Sequence, residues 1–191
     1  MRPTLKTERL FLRPLKLSDA KVYSAYAGTE DIARMTGSVP LPFPTISAEF
    51  WIMQKLSKAR LGLSQPYVIT LNSEMIGMID LFKRDEDGPL EIGYSMAREH
   101  WGKGYTTEAC KAIIREAQKT LGAKRIVAGV FSDNPASIRL LLNLGFSALE
   151  TREQWFSMAR LEKANGVKLS LDLTKEHKHF APSKSEARVS A

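Results

Sequence analysis

The run "REHWGKGYTTEA", Arg98 to Ala109, sets two glycines around a lysine where a strand pattern hands over to a helical one. Glycine reaches backbone conformations closed to other residues, so Gly102 and Gly104 permit a tight turn with its N–H groups close to a ligand. A helix opening directly afterwards adds unpaired amide donors and a partial positive charge. That combination suits an anion, above all a phosphate. Two further places carry groups of chemical interest. Alternation along "PLEIGYSMA" sets Glu91, Gly93 and Ser95 on one face of a strand. In "DNPAS", Asn134 stands as a helix cap, with Pro135 at the first helical position and Ser137 in the first turn.

The glycine turn fits neither of two common nucleotide cradles. A Walker loop needs Gly-x-x-x-x-Gly-Lys-Ser/Thr, whereas this turn lacks the upstream glycine and has Gly104 where the hydroxyl residue belongs. A dinucleotide fingerprint needs a third glycine where Thr107 stands. Cys110, the single cysteine, has no thiol partner for a disulfide or a zinc site. It follows Ala109 on an apolar helical face, which argues for a core thiol and against an acyl-cysteine intermediate. His100 precedes the turn, His177 and His179 lie near the C-terminus, and no metal site is expected.

The elements that must position these groups are readable from periodicity. "RLFLRPL" alternates as a strand; Ser18 then caps a helix through "DAKVYSAYAG". Pro40, Pro42 and Pro44 make "GSVPLPFPTIS" a loop, and Ser47 caps a helix over about residues 48 to 61. "PYVITLN" and "MIGMIDLFKR" form a hairpin, with "PLEIGYSMA" as the next strand. The strongest helix runs from Gly104 to Gly122, with Ala109, Ile113, Ala117 and Leu121 every fourth residue. "RIVAGVF" is a buried strand and "DNPASIRLLLNLGF" a helix closed by Gly145; two final strands flank the turn "ANG". The order β-α-α-β-β-β-α-β-α-β-β implies an α/β (α+β) domain with a mixed sheet. Residues 1 to 174 are expected to form that single domain, and residues 175 to 191 a mobile polar tail. Trp51, Trp101 and Trp155 read as packing residues.

With 191 residues, 43% of them hydrophobic, the chain suits one core. No apolar stretch reaches the roughly eighteen residues of a membrane span, and a cytoplasmic location is expected. The net charge of +7 falls to +5 without the tail, a balance compatible with an anionic ligand. Nucleic acid is not the expected partner, because no basic run interleaved with aromatics and no helix-turn-helix pattern is present. Monomer and homodimer both remain open.

"EIGYSMAREHWGKGYTTEA" followed by "RIVAGVFSDNPASIRLLLNLGF" resembles the core of the GCN5-related N-acetyltransferases (GNAT), especially the RimJ/RimL-like ribosomal-protein branch. "TERLFLRPLKLSDA" resembles that branch's N-terminus, and the resemblance covers roughly residues 7 to 174. It implies a mostly antiparallel mixed sheet, helices on both faces, and a splay between the fourth and fifth strands that admits acetyl-CoA. The family's pyrophosphate loop falls on Trp101, Gly102, Lys103, Gly104, Tyr105 and Thr106, where Trp101 replaces Gln or Arg and Thr106 a smaller residue. Ser95, Met96 and Ala97 would pair with the pantetheine arm, and Asn134 would contact it. Lys103, Arg139 or Arg98 would meet the 3′-phosphate.

Acetyl transfer needs a neutral amine, a polarised carbonyl and a proton for the leaving thiolate. The resemblance assigns the first to Glu91, directly or through water, against an alternative in which Glu91 is only a solvated strand carboxylate or pairs with a nearby arginine. A backbone N–H near Met96, freed by the splay or a bulge, would serve the second. Ser137 is the candidate for the third, as acid, relay or orienting group, with Tyr94 and Tyr105 as substitutes. The expected activity is direct transfer from acetyl-CoA to a primary amine, most consistently a protein N-terminal amine. A small amine acceptor and a non-catalytic acyl-CoA-binding module are the alternatives. Asp31, Glu30 and Asp80 are candidates to attract a cationic acceptor.

Overall fold

The structure, a computed structural model, describes residues 1–84, 87–151 and 153–174. The expected tail from Lys175 onward lies outside the described residues. A short strand β1 (Leu5–Lys6) precedes β2 (Phe11–Pro14), and three helices follow: α1 (Ala20–Ala27), α2 (Glu30–Ala33) and α3 (Thr45–Arg60). Then come β3 (Ser64–Leu71), β4 (Glu74–Phe82), β5 (Leu90–Met96), α4 (Tyr105–Leu121) and β6 (Arg125–Phe131). The chain continues with α5 (Pro135–Asn143), β7 (Ser147–Ala148), β8 (Glu153–Ser157) and β9 (Glu162–Asp172). The strands make one sheet in the order β1-β2-β3-β4-β5-β6-β9-β7, with β8 also on β9. Among the described strands only β5 and β6 run parallel.

That parallel pair is joined at two positions, Leu90 to Ile126 and Glu91 to Val127. Beyond them β5 keeps its ladder with β4 as far as Met96, and β6 keeps its ladder with β9 as far as Phe131. The two halves of the sheet therefore part from each other inside the protein. This is the expected splay; with β1 counted, it lies between the fifth and sixth strands.

Both faces of the sheet are covered. Ala109, Ile113 and Ala117 of α4 pack with Ile79, Ile92, Ile126 and Leu171, while α5 contributes Leu141. On the opposite face Tyr23 and Tyr26 of α1 and Ile52 of α3 pack with Val68 and Met78. Adjacent residues of one strand, such as Val68 and Ile69, fall into different clusters, as strand alternation demands. Leu121, placed by periodicity on the apolar stripe of α4, is half exposed at its last turn, where Gly122 closes the helix in the left-handed conformation. Asn72 and Ser73 have φ of 49° and 71°, so they form the two-residue turn of the β3–β4 hairpin. Among the described residues no helix is long and apolar enough to cross a membrane.

Three local expectations are corrected. Ser18 does not cap α1: Leu17–Asp19 form a 3-10 turn, and the Asp19 carboxylate accepts the Lys16 N–H at 2.8 Å and the Arg13 fork at 2.7 and 2.9 Å. Ser47 lies inside α3, which opens one turn earlier because the extended Pro44 offers its carbonyl to the Ser47 and Ala48 amides. "ANG" is no turn either. Ala164, Asn165 and Gly166 run within β9, and the reversal comes at Ser157 to Leu161, where Leu161 takes a φ of 55°.

Gly166 serves packing instead: a Cβ there would lie 2.0 Å from a ring carbon of Trp155, and one at Gly129 3.2 Å away. The indole lies across two glycines of neighbouring strands. Gly166→Ala is expected to destabilise the fold by about 1–3 kcal/mol through overpacking, and Gly129→Ala by less. Urea unfolding midpoints of the two variants check the order.

Candidate active site

The strand-to-helix turn is built as its glycines require. After a 3-10 turn at Arg98–His100, Gly102 and Gly104 both take left-handed φ, 70° and 79°, and α4 begins at Tyr105. A Cβ at Gly102 would meet nothing within 4 Å, so conformation and not space demands glycine there. No side chain caps α4, and its first backbone bond runs from Glu108 N–H to Gly104 O at 3.0 Å. The amides of Tyr105, Thr106 and Thr107 therefore face outward at the positive end of a seventeen-residue helix. The Trp101 indole donates to Met96 O at 2.7 Å and ties the turn back to β5.

A cleft of about 1390 Å³ runs from this turn through the splay to the opposite face of the sheet. At its centre the Tyr94 hydroxyl of β5 lies 2.7 Å from Ser137 Oγ of α5. Asn134 accepts the Ser137 N–H at 3.1 Å, as the cap reading requires. Burial pushes the Tyr94 phenol far up, against the opposing pull of the Ser137 bond, so it stays protonated at neutral pH. Ala97 N–H donates to Ile76 O at 2.9 Å, which fixes the phase of the β4–β5 ladder. By alternation Ser95 also turns its backbone to β4, while Ile92, Tyr94 and Met96 present theirs to the gap. Of the expected trio Ser95, Met96 and Ala97, only Met96 therefore faces the gap with its backbone. No bulge interrupts β5; the register slip lies between β3 and β4, at Ile69/Thr70.

Carboxylates line the other half of the cleft, each with a cation. Glu91, buried at the closed end of the splay, accepts from Arg84 Nε at 2.8 Å and Nη2 at 2.6 Å. Asp80 accepts from Lys55 Nζ at 2.6 Å and from Ser64 Oγ at 2.9 Å. Asp31 pairs with Arg98, and Glu30 with Arg34 at 3.6 Å. Arg98 is thus drawn away from the glycine turn. Arg139 lines the cleft beside Ser137, and Lys103 is exposed outside the lining. The Ser95 hydroxyl lies 3.1 Å from that of Tyr26. Cys110 is fully buried, and burial raises its thiol far above the ordinary value.

Residues 9–147 match the family description Acetyltransferase (GNAT) domain. The chain belongs to the GNAT acetyltransferase family. It is 35% identical over 147 residues to the N-acetyltransferase p20 of Bacillus licheniformis, covering 75% of this chain and 82% of that one. The ribosomal-protein-serine acetyltransferase of Escherichia coli (strain K12) shares 32% identity over 87 residues, 44% of this chain and 48% of that protein. Mycobacterium smegmatis RimJ, solved in complex with CoA-disulfide, superposes with a TM-score of 0.76 at 19% identity, covering 94% of this chain and 87% of its own. The protein is an acyltransferase, and its sheet is the one the family resemblance implied.

The acetyltransferase also carries functional neighbours that periodicity did not disclose. Arg84 holds Glu91 from seven residues upstream, where its place in "FKRDEDG" suggests only a turn cation. Glu108, in the first turn of α4, is bound by Thr7 and Arg9 from the far N-terminus. Burial by itself would raise the Glu108 pKa, but these donors outweigh it and hold the carboxyl below its ordinary 4.5. A depressed folded pKa contributes stability that is complete above the unfolded value and is lost as pH falls through the folded one. Glu108→Gln is expected to cost about 1 kcal/mol at pH 7, discounted because Arg9 is partly exposed. Denaturant unfolding at pH 7 and pH 3 should show the gap narrowing in acid.

Proposed function

We propose that this acetyltransferase moves the acetyl group of acetyl-CoA directly to a primary amine, and that the amine is a protein N-terminus. The carrying observation is the break in the sheet, with the uncapped end of α4 on one side and a lined cleft on the other. The residues present fit the cofactor. The unpaired amides of Tyr105, Thr106 and Thr107, with the Gly104 N–H beside them, would hold the pyrophosphate, with Gly102 setting the turn and Trp101 anchoring it. Arg139 would meet the 3′-phosphate, and the gap-facing backbone of Tyr94, with the Ile92 carbonyl beside it and Asn134 opposite, would pair with the pantetheine amides. When bound, the cofactor supplies an activated thioester acetyl group.

The chain's own groups then divide the work. A gap-facing N–H at Met96 polarises the carbonyl. Tyr94 is the proton source, and Ser137, at 2.7 Å, orients or relays that proton to the thiolate. Glu91, held by Arg84, receives the amine proton through water. The acceptor's own protonation state bears on its class. An α-amine with a pKa near 7.8 is roughly a tenth neutral at pH 7, whereas a lysine amine is neutral in well under a thousandth of molecules. The α-amine asks less of any base. The pairing of Asp31 and Asp80 also leaves neither carboxylate without a cation to attract a polyamine. The named activity of the Escherichia coli relative points the same way.

Thiol release from acetyl-CoA, followed with an unblocked peptide, an N-blocked lysine peptide and a polyamine, tests the reading. The unblocked peptide should be preferred, and Tyr94→Phe and Ser137→Ala should each lower kcat by about a hundredfold. Preference for the blocked peptide or the polyamine would refute the acceptor class. CoA binding without release for any amine would instead identify a non-catalytic acyl-CoA module.

A further inference from the structure

Thr7, Glu8 and Arg9 link β1 to β2, far in sequence from the glycine turn, yet Arg9 touches that turn on three sides. Its Nη1 donates to Lys103 O at 3.0 Å, and its guanidinium lies 4.6 Å from the centre of the Tyr105 ring. Its Nη2 would be 3.4 Å from a Cβ at Gly104. The guanidinium is itself held: Nε donates to Glu108 Oε2 at 2.7 Å, and the Arg9 N–H to Oε1 at 2.9 Å. Thr7 Oγ1 donates to the same Oε1 at 2.5 Å.

We propose that Arg9 is the positioning residue of the coenzyme turn, fixing the Gly104 peptide so that its N–H points into the cleft toward a pyrophosphate; this rests on the acetyl-CoA reading above. In a trans peptide the carbonyl of one residue and the N–H of the next point in opposite directions. Lys103 O is drawn outward onto Arg9, so the Gly104 N–H is turned inward, on the side where Gly104 and Thr106 line the cleft. The restraint has work to do there. Lys103 stands between two glycines with left-handed φ, the least restricted backbone in the segment, and no side chain caps the helix that follows. A fixed fork also spans positions that a lysine would not. One guanidinium reaches the carbonyl before the helix and a carboxylate one turn inside it, so the turn and the helix end move as a unit.

Isothermal titration of the full chain with CoA and with dephospho-CoA, which keeps the pyrophosphate and lacks the 3′-phosphate, tests the assignment. Arg9→Met keeps an unbranched apolar stem, removes the guanidinium and should weaken both ligands by roughly tenfold. Arg9→Lys keeps the charge and should recover little of the loss. Glu108→Gln should give a smaller loss, and the Arg9→Met/Glu108→Gln pair no more than Arg9→Met alone, as expected for groups acting as one. Thermal midpoints of each variant establish that the titrated protein is folded at the assay temperature. The assignment is overturned by unchanged affinity in folded Arg9→Met, by full recovery in Arg9→Lys, or by a loss confined to CoA. A wild-type chain that binds neither ligand would overturn the acetyl-CoA reading and this assignment with it.

Discussion

The site depends on two adjacent parallel strands that stay together for two residues and then part. Backbone N–H and C=O groups inside a protein need partners, so a sheet does not open in its middle without cause. Here β5 retains β4 and β6 retains β9, and each half of the sheet is satisfied on its outer side. The inner edges are left facing each other across a gap. Packed helices hold them there: α4 and α5 brace one face, α1 and α3 the other. An interior as closely packed as a crystal is stiff, so the gap persists as a shaped slot between two well-anchored half-sheets. What lies between them is an interrupted ladder.

Charge is distributed unevenly along that slot. At the helix end the potential comes from backbone amides and needs no ionised side chain. At the far end ionised groups are present in matched pairs, Glu91 with Arg84 and Asp80 with Lys55. A buried ion pair is weak evidence for stability, since taking both charges from water offsets much of their attraction. Its effect here is on position: the Arg84 fork fixes both Glu91 oxygens at the closed end of the splay. The central pair is neutral: burial of the Tyr94 phenol against Ser137 retains a proton where a leaving thiolate would need one.

Most of the frame was legible in the sequence because it is written in local patterns. Strand alternation, the four-residue repeat of α4, the Asn134 cap and the paired glycines each follow from neighbouring residues, and the structure contains all four. What escaped depends on contacts distant in sequence. Ser18 yields to Asp19 because Arg13 reaches it from the preceding strand. "ANG" has turn composition, yet Gly166 is required by an indole eleven residues away in the chain. Ser137 and Tyr94 were each readable as candidates, but their contact joins residues 43 apart that no periodicity relates. Glu91 could be read either as a base or as half of an ion pair, and the pairing partner is now visible.

The two ends of the slot are also mechanically joined. Arg160, in the turn between β8 and β9, bonds Asp133 at 2.9 Å and Arg34 O at 3.0 and 3.1 Å, and lies 5.1 Å from the centre of the Phe131 ring. Its hydrogen bond holds Asp133 below the usual carboxylate range. Met158 N–H reaches Gly37 O from the same turn. The segment after α2 and the β8–β9 turn thus meet over one end of the cleft. Asp133 immediately precedes Asn134, whose side chain fixes the Ser137 amide. Displacing this roof would pull on Asp133 and hence on the start of α5, where Ser137 faces Tyr94. The roof over that end of the cleft is thus one ion pair, Arg160 to Asp133, away from the turn that carries Ser137 to the centre.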